Sequence, residues 1–187
     1  MRLAVTGANS SIGERVCAEI SAIGNEPLRL IRRPRDDDRH FDLAADLDPR
    51  LLDGVDAVIH LAWAWLRPGA EYRRTNVEGS RRLFDAAAAR GIPVVLLSTF
   101  SAFAQGRSEY ADCKRALEYD LRGGSGAIVR AGLIWGDKPA GMIKTVISMA
   151  STPGACFHLI SDPVLYQTEI GMLAQLLVTV AIGDASR

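Results

Sequence analysis

The sequence of 187 residues suits one domain, or one domain with a small appendage, and its 48% hydrophobic content is ordinary for a globular core. Lysine plus arginine total 22, as do aspartate plus glutamate, so charge points to neither nucleic acid nor an anionic membrane as a partner. Cys17, Cys113 and Cys156 are odd in number, widely spaced and outside any CxxC pattern; disulfides and metal ligation are not expected, and a reducing, cytoplasmic setting fits them.

In chain order, "RLAVTG" reads as a buried strand rather than a targeting segment, followed by an amphipathic helix over Ile12 to Ile23 that ends at Gly24-Asn25. "PLRLIRR" predicts a second strand, "RHFDL" a short third and "VDAVIHLAW" a fourth. From Tyr72 to Arg90 the pattern is helical, with Val77, Leu83, Phe84 and Ala87 on one face and Gly91 as the stop. "IPVVLLST" is the next strand, Tyr110 to Leu121 the next helix and "GAIVRAG" another strand. Such alternation predicts parallel strands with crossover helices on both faces, a doubly wound α/β sheet. Beyond Gly136 the signals weaken: "AGMIKTVISMA" reads as a helix, "ACFHLI" as a short strand and Glu169 to Ala181 as a last helix. Residues 1–136 are therefore expected to form a nucleotide-binding domain and 137–187 a small C-terminal cap. The late apolar stretch Leu176 to Ile182 is too short to span a bilayer.

Ligands of such sheets sit at the carboxyl ends of the strands. There "TGANSSIG" offers Thr6, Gly7, Asn9, Ser10, Ser11, Ile12 and Gly13 as a phosphate loop: Gly7 permits a sharp turn, Gly13 close helix packing, and the helix start presents open N–H groups to an anion. Ser10 stands where a three-glycine fingerprint has its middle glycine. Asn9, Ser10 and Ser11 would also serve simply as a helix cap. At the end of the second strand, where NAD binders carry an acid, stand Arg32 and Arg33. Their guanidinium forks suit a ribose 2′-phosphate and favour NADP over NAD; the alternative is a solvated basic turn balanced by Asp36, Asp37 and Asp38.

"STFSAF" closes the fifth strand with hydroxyls, and "YADCK" follows, placing Tyr110 and Lys114 four apart on one helix face. A phenol is a poor base at neutral pH, but a neighbouring lysine charge favours the phenolate and makes proton exchange with a substrate oxygen feasible.

As an ordered set these motifs resemble the short-chain dehydrogenase/reductase superfamily, in its extended and atypical branch of NAD(P)-dependent epimerase/dehydratase-like proteins. "TGANSSIG" is similar to the TGxxGxxG loop, "GVDAVIHLAW" to the fourth strand, "TNVEGSRRLFDAA" to the central helix, "VVLLSTFSAF" to the fifth strand, "YADCK" to YxxxK and "IVRAGLIWG" to the strand and turn that follow. The resemblance implies a Rossmann-type fold. It implies Tyr110 as general acid/base, Lys114 as the residue that bonds the nicotinamide ribose and lowers the tyrosine's pKa, and Thr99 as the group that binds the substrate oxygen, with Ser101 a lesser candidate. Asn76 takes the central-helix asparagine position, although "TNVE" also reads as a capping box of Thr75 and Glu78. Asp42-Leu43 would flank the adenine and Leu61-Ala62 would back the cofactor. His60 reads as a core histidine, and Trp63 and Trp65 either line the substrate cleft or pack as aromatics. Ala131 departs from the family's usual proline, and extended members continue into a substrate domain, which argues against large nucleotide sugars.

The function expected is hydride transfer between NADP, with NAD as the alternative, and a small carbonyl or alcohol substrate, or a related epimerase/dehydratase reaction. The competing class is a non-catalytic NAD(P)-binding sensor. Partners are then the small molecule and, at most, a second copy in a homodimer.

Overall fold

The computed structural model describes residues 1–103, 108–122, 124–136, 145, 147–149, 151 and 166–185. Its elements are β1 (Arg2–Thr6), α1 (Ser11–Ala22), β2 (Glu26–Ile31), β3 (Arg39–His40), β4 (Ala57–His60), α2 (Ala70–Arg73), α3 (Gly79–Ala88), β5 (Val94–Thr99), α4 (Glu109–Leu121), β6 (Gly126–Ala131), β7 (Leu133–Trp135), β8 (Gln167–Glu169) and α5 (Ile170–Ala185). A π-helical segment, Arg74–Glu78, joins α2 to α3.

The main sheet has six strands in the order β3-β2-β1-β4-β5-β6, all parallel. Chain order reverses between β1 and β4, which opens the ligand crevice of a doubly wound fold beside the ends of those two strands. Both faces are covered, so the central strands β1, β4 and β5 are buried on both sides and mostly apolar instead of alternating with polar residues. Ala4, Val58, Val94 and Leu96 pack under α3 and α4 with Leu83, Phe84, Cys113 and Leu117. Leu3, Val5, Ile59, Val95 and Leu97 pack under α1 and α5 with Val16, Ile20, Leu173, Leu177 and Val178.

Three local readings change. β3 stops after two residues because the Asp42 carboxylate accepts the Ala44 amide at 2.9 Å and turns the chain, while Phe41 and Leu43 go into the core. "TNVE" is no capping box: the helical path is already under way at Ala70, so Thr75 and Glu78 lie inside it. Gly79 then passes so close to the β3 exit that a Cβ would lie 2.2 Å from the Leu43 carbonyl oxygen. Of the expected helix "AGMIKTVISMA" only residues 145 and 147–149 are described, and they are helical; the expected strand "ACFHLI" lies outside the described residues. The last helix is described; it runs to Ala185, and its apolar face lies on α1 and the sheet. Just before it, β7 and β8 form a small parallel pair, anchored where the Leu133 amide donates to the Tyr166 carbonyl at 2.7 Å. No helix among the described residues is long and apolar enough to cross a membrane.

Candidate active site

The turn after β1 is a tight backbone cradle. Gly7 takes φ +67°, and a Cβ there would approach Ala62 to 3.1 Å. A Cβ on Gly13 would lie 2.3 Å from the Gly7 carbonyl oxygen, so α1 rests directly on the loop. Ser10 is the N-cap of α1, at φ −82°, where a glycine is not needed. Its hydroxyl donates to the Gly7 carbonyl at 2.8 Å and accepts from the Gly13 amide at 3.1 Å, leaving the Ser11 and Ile12 amides as open donors among the described residues. Asn9 and Ser10 are exposed and Ser11 and Ile12 half-buried, so the turn faces the surface with both amides open.

Thr6 turns the other way. Fully buried, its hydroxyl accepts the Leu61 and Ala62 amides, each at 3.0 Å, and so fixes the exit of β4 against β1. The Ser80 hydroxyl donates to the Asn76 carbonyl at 2.6 Å and therefore receives the His60 Nε2 proton at 2.9 Å; His60 Nδ1 then accepts from Thr6 at 2.8 Å. Burial, and secondarily the Lys114 charge, push the His60 pKa down to about 3. A neutral imidazole spent on two internal bonds is a strut, in keeping with its reading as a core histidine.

Asn76, also fully buried, clamps the next stretch. Its Oδ1 accepts the Ala64 amide at 2.8 Å and its Nδ2 donates to the Ala64 and Tyr72 carbonyls at 3.0 Å. The π-helical turn carries it, a device that often marks functional sites. The clamp sets Trp63 and Trp65 on either side of Ala64.

Arg32 and Arg33 are exposed just beyond β2 and form no ion pair among the described residues. Asp38 is engaged elsewhere, with the Arg29 guanidinium at 3.3 Å and the Arg35 amide at 3.2 Å. Asp42 and Leu43 lie at the β3 exit, where Leu43 is buried and its carbonyl accepts from Arg82 at 2.8 Å.

On α4, Tyr110 and Lys114 share one face, and Trp63 stands against both. The Lys114 ammonium is 4.4 Å from the Trp63 ring centroid and 6.0 Å from that of Tyr110, and it donates to the Leu97 carbonyl at 2.7 Å. Trp63 meets Tyr110 edge-on at 5.2 Å, Trp65 stacks on it at 5.6 Å, and the Trp63 Nε1 donates to the Tyr72 hydroxyl at 2.9 Å. The Tyr110 pKa is not lowered on balance: burial, helped by Tyr72, pushes it up to about 12. Burial also brings Lys114 down to about 7, against the opposing pull of Glu118. The phenol is thus a proton donor at rest, and the lysine is poised between its two states. Thr99 bonds its neighbour Ser101, hydroxyl to hydroxyl at 3.0 Å, and not Tyr110. Leu61 and Ala62 line the β4 exit between this cluster and the Gly7 turn.

One buried group carries no mark in the sequence reading. Glu118, 1% exposed, binds Ser98 and Arg130 behind Lys114. Its signal was its place four residues after Lys114.

Residues 3–121 match the NAD dependent epimerase/dehydratase family. The chain belongs to that family. Among curated proteins it is 31% identical to ceramide reductase of Caulobacter vibrioides over 147 residues, covering 72% of this chain and 46% of that protein. It is 32% identical to UDP-2-acetamido-2,6-beta-L-arabino-hexul-4-ose reductase of Pseudomonas aeruginosa over 124 residues, covering 65% of this chain and 31% of that one. The chain therefore spans less than half the length of these two relatives. Its fold is shared with a nucleoside-diphosphate sugar epimerase from Corynebacterium glutamicum, with a TM-score of 0.81, 20% identity, and 97% of this chain against 44% of that one. The enzyme WbmH from Bordetella bronchiseptica, solved in complex with NAD+, also gives 0.81, at 18% identity over 97% of this chain and 72% of its own.

Proposed function

We propose that the chain is an NAD(P)-dependent oxidoreductase, or an epimerase/dehydratase-type enzyme, acting on a small carbonyl or alcohol. NADP is the preferred cofactor and NAD the alternative. The observation that carries the reading is the co-location of Tyr110 and Lys114 on one face of α4, packed against the β4 exit. Both curated relatives are reductases by name, which agrees with it.

The cradle of Gly7 and Gly13, with the Ser11 and Ile12 amides, would hold the pyrophosphate, Asp42 and Leu43 the adenine end, and Leu61 and Ala62 the face toward β4. Arg32 and Arg33 are unpaired among the described residues and would receive a 2′-phosphate. When bound, the nicotinamide supplies or accepts the hydride. Tyr110, held protonated, gives its proton to the carbonyl oxygen of the substrate, which suits the reductive direction. Thr99 orients that oxygen from the end of β5, Asn76 holds the Trp63–Trp65 loop that bounds the cleft, and Lys114, in its charged state, bonds the ribose. The site is assigned to residues 1–136, and 137–187 to a small C-terminal segment whose last helix, α5, packs back on α1 and the sheet.

Titration with NADPH and NADH, followed by a carbonyl screen, tests the reading. Tyr110→Phe should keep cofactor affinity and lose turnover by about 10²–10⁴-fold. Arg32→Ala with Arg33→Ala should weaken NADPH by about 10–100-fold and leave NADH almost unchanged; an equal loss for both refutes the 2′-phosphate assignment. Tight binding without turnover across the panel would make the chain a nucleotide sensor. Binding of neither nucleotide would end the proposal.

A further inference from the structure

We infer that Glu118 is a positioning residue of this site: its single buried carboxylate ties α4 to β5 and β6 and sets a fixed negative charge one helical turn behind Lys114. The inference rests on the role proposed for Lys114.

Two consecutive residues of β5 are gripped by two successive turns of α4. The Leu97 carbonyl accepts the Lys114 ammonium at 2.7 Å, and the Ser98 hydroxyl donates to Glu118 Oε1 at 2.6 Å. Arg130, on β6, donates from Nε to the same Oε1 at 2.8 Å and from its terminal nitrogen to Oε2. That terminal nitrogen also donates to the Ala102 carbonyl at 3.0 Å, while the Ala102 amide donates to the Thr99 carbonyl at 3.0 Å. One carboxylate therefore fixes, directly or through Arg130, the strand end bearing Thr99, the loop after it and the helix bearing Tyr110 and Lys114.

Stability alone is a poor account of this network. Burying a carboxylate and a guanidinium costs desolvation, and apolar residues of similar volume commonly stabilise a fold as well or better. An apolar replacement could not supply a charge. The Lys114 ammonium is 3% exposed and lies against a neutral carbonyl and an indole face. The titratable groups around it are Tyr110, Cys113 and Glu118 on α4 and His60 on β4, with Tyr72 on α2 beyond Tyr110. Burial keeps the Cys113 thiol and the Tyr110 phenol protonated, and His60 is neutral. Burial also works to raise the Glu118 pKa, but the hydrogen bonds from Arg130 and Ser98 and the charges of Arg130 and Arg122 outweigh it and keep the carboxylate ionised. Of these groups Glu118 is the one that carries negative charge at neutral pH.

The sign follows. With burial bringing Lys114 to about 7, removing the Glu118 charge lowers its titration further, so the ammonium is lost at a lower pH.

The chain has three lysines, so isotope-labelled lysine gives three side-chain resonances, and Lys114→Arg assigns the one of interest. Glu118→Gln should lower the Lys114 titration midpoint by about one unit or more, and Glu118→Met with Arg130→Met, which removes the buried pair together, should lower it too. In parallel, the alkaline limb of the pH–rate profile should move with the NMR midpoint, so that Glu118→Gln loses roughly 10-fold at pH 8 and recovers near pH 5.5. A purely structural role predicts lower stability in both variants with the Lys114 midpoint unmoved, and that result overturns the inference. If Glu118→Gln does not fold, the double variant decides alone: a lowered midpoint supports the inference, and an unmoved or raised one overturns it. Failure of the underlying reading looks different, because Lys114→Met would then bind cofactor and turn over like the wild type.

Discussion

At the turn after β1 the site is made of backbone: two glycines too close to their neighbours for a Cβ, a serine closing its own loop, and a helix start. At α4 it is made of side chains, with a phenol between two indoles, a buried ammonium and a buried carboxylate. Backbone geometry is rigid and insensitive to pH. The side-chain half depends on protonation states that burial has moved by units, so it can be retuned by solvent exclusion or by a charge introduced nearby. Nucleotide affinity should therefore track sterics at one end, and reactivity should track pH at the other.

The hardest blow to the backbone half is Gly13→Ala. The new methyl would lie 2.3 Å from the Gly7 carbonyl oxygen and 2.6 Å from the Ala8 Cα, both main-chain atoms that cannot rotate away. Overpacking of this kind costs about 3 kcal/mol, a fall in Tm of about 6–12 °C, and nucleotide binding should be lost beyond what the stability change explains. Calorimetry and NADPH titration check it; a variant with wild-type Tm and affinity would show that the loop yields, and the contrast between the two halves would go with it.

The fold between the two halves answers to acid through His60, whose bonds to Thr6 and Ser80 tie β1 to α3. Its folded pKa of about 3 lies below the ordinary 6.5, so between those values the unfolded chain holds a proton that the folded chain does not. Stability then falls as pH drops from 6.5 toward 3, by about 2–3 kcal/mol at pH 4.5. Denaturant melts of wild type and His60→Gln across that range isolate the contribution, since other groups titrate in both. Parallel curves would mean that the imidazole is not held neutral.

The two halves also differed in how much of them the sequence disclosed. The parallel six-stranded sheet and the β1 turn rest on local patterns, apolar runs and glycines at fixed offsets, which survive without knowledge of partners. The carboxylate at Glu118 looked like any polar position on an amphipathic helix, because its bonds to Ser98 and Arg130 cross from other strands. "TNVE" misled for a similar reason: Thr and Glu three apart cap a helix only at its start, and the Ala64 loop had already recruited Asn76 inside one. Trp63 and Trp65 were visible as aromatics beside a strand end, but their grip on Tyr110 depends on where α4 lands.

Asn76→Ala probes the joint between the halves. It leaves the Ala64 amide and the Ala64 and Tyr72 carbonyls without their partner, at a cost of about 1–3 kcal/mol. The Trp63–Trp65 loop should loosen, read as a red shift in tryptophan emission that Gly13→Ala does not produce. An unchanged spectrum would place the clamp outside the control of that loop.

The smallest effect belongs to the residue that looked most out of place. Ser10→Gly restores the three-glycine pattern, yet Ser10 already has a negative φ, and its hydroxyl faces inward to Gly7 and Gly13. Glycine is a tolerable N-cap, so stability should drop by only a few tenths of a kcal/mol. NADPH affinity should change by less than about threefold, because the amides proposed to meet the phosphate are those of Ser11 and Ile12 and not the serine side chain. A tenfold gain would show instead that the side chain stands in the way of the pyrophosphate, and the cradle would then be narrower than its two glycines make it.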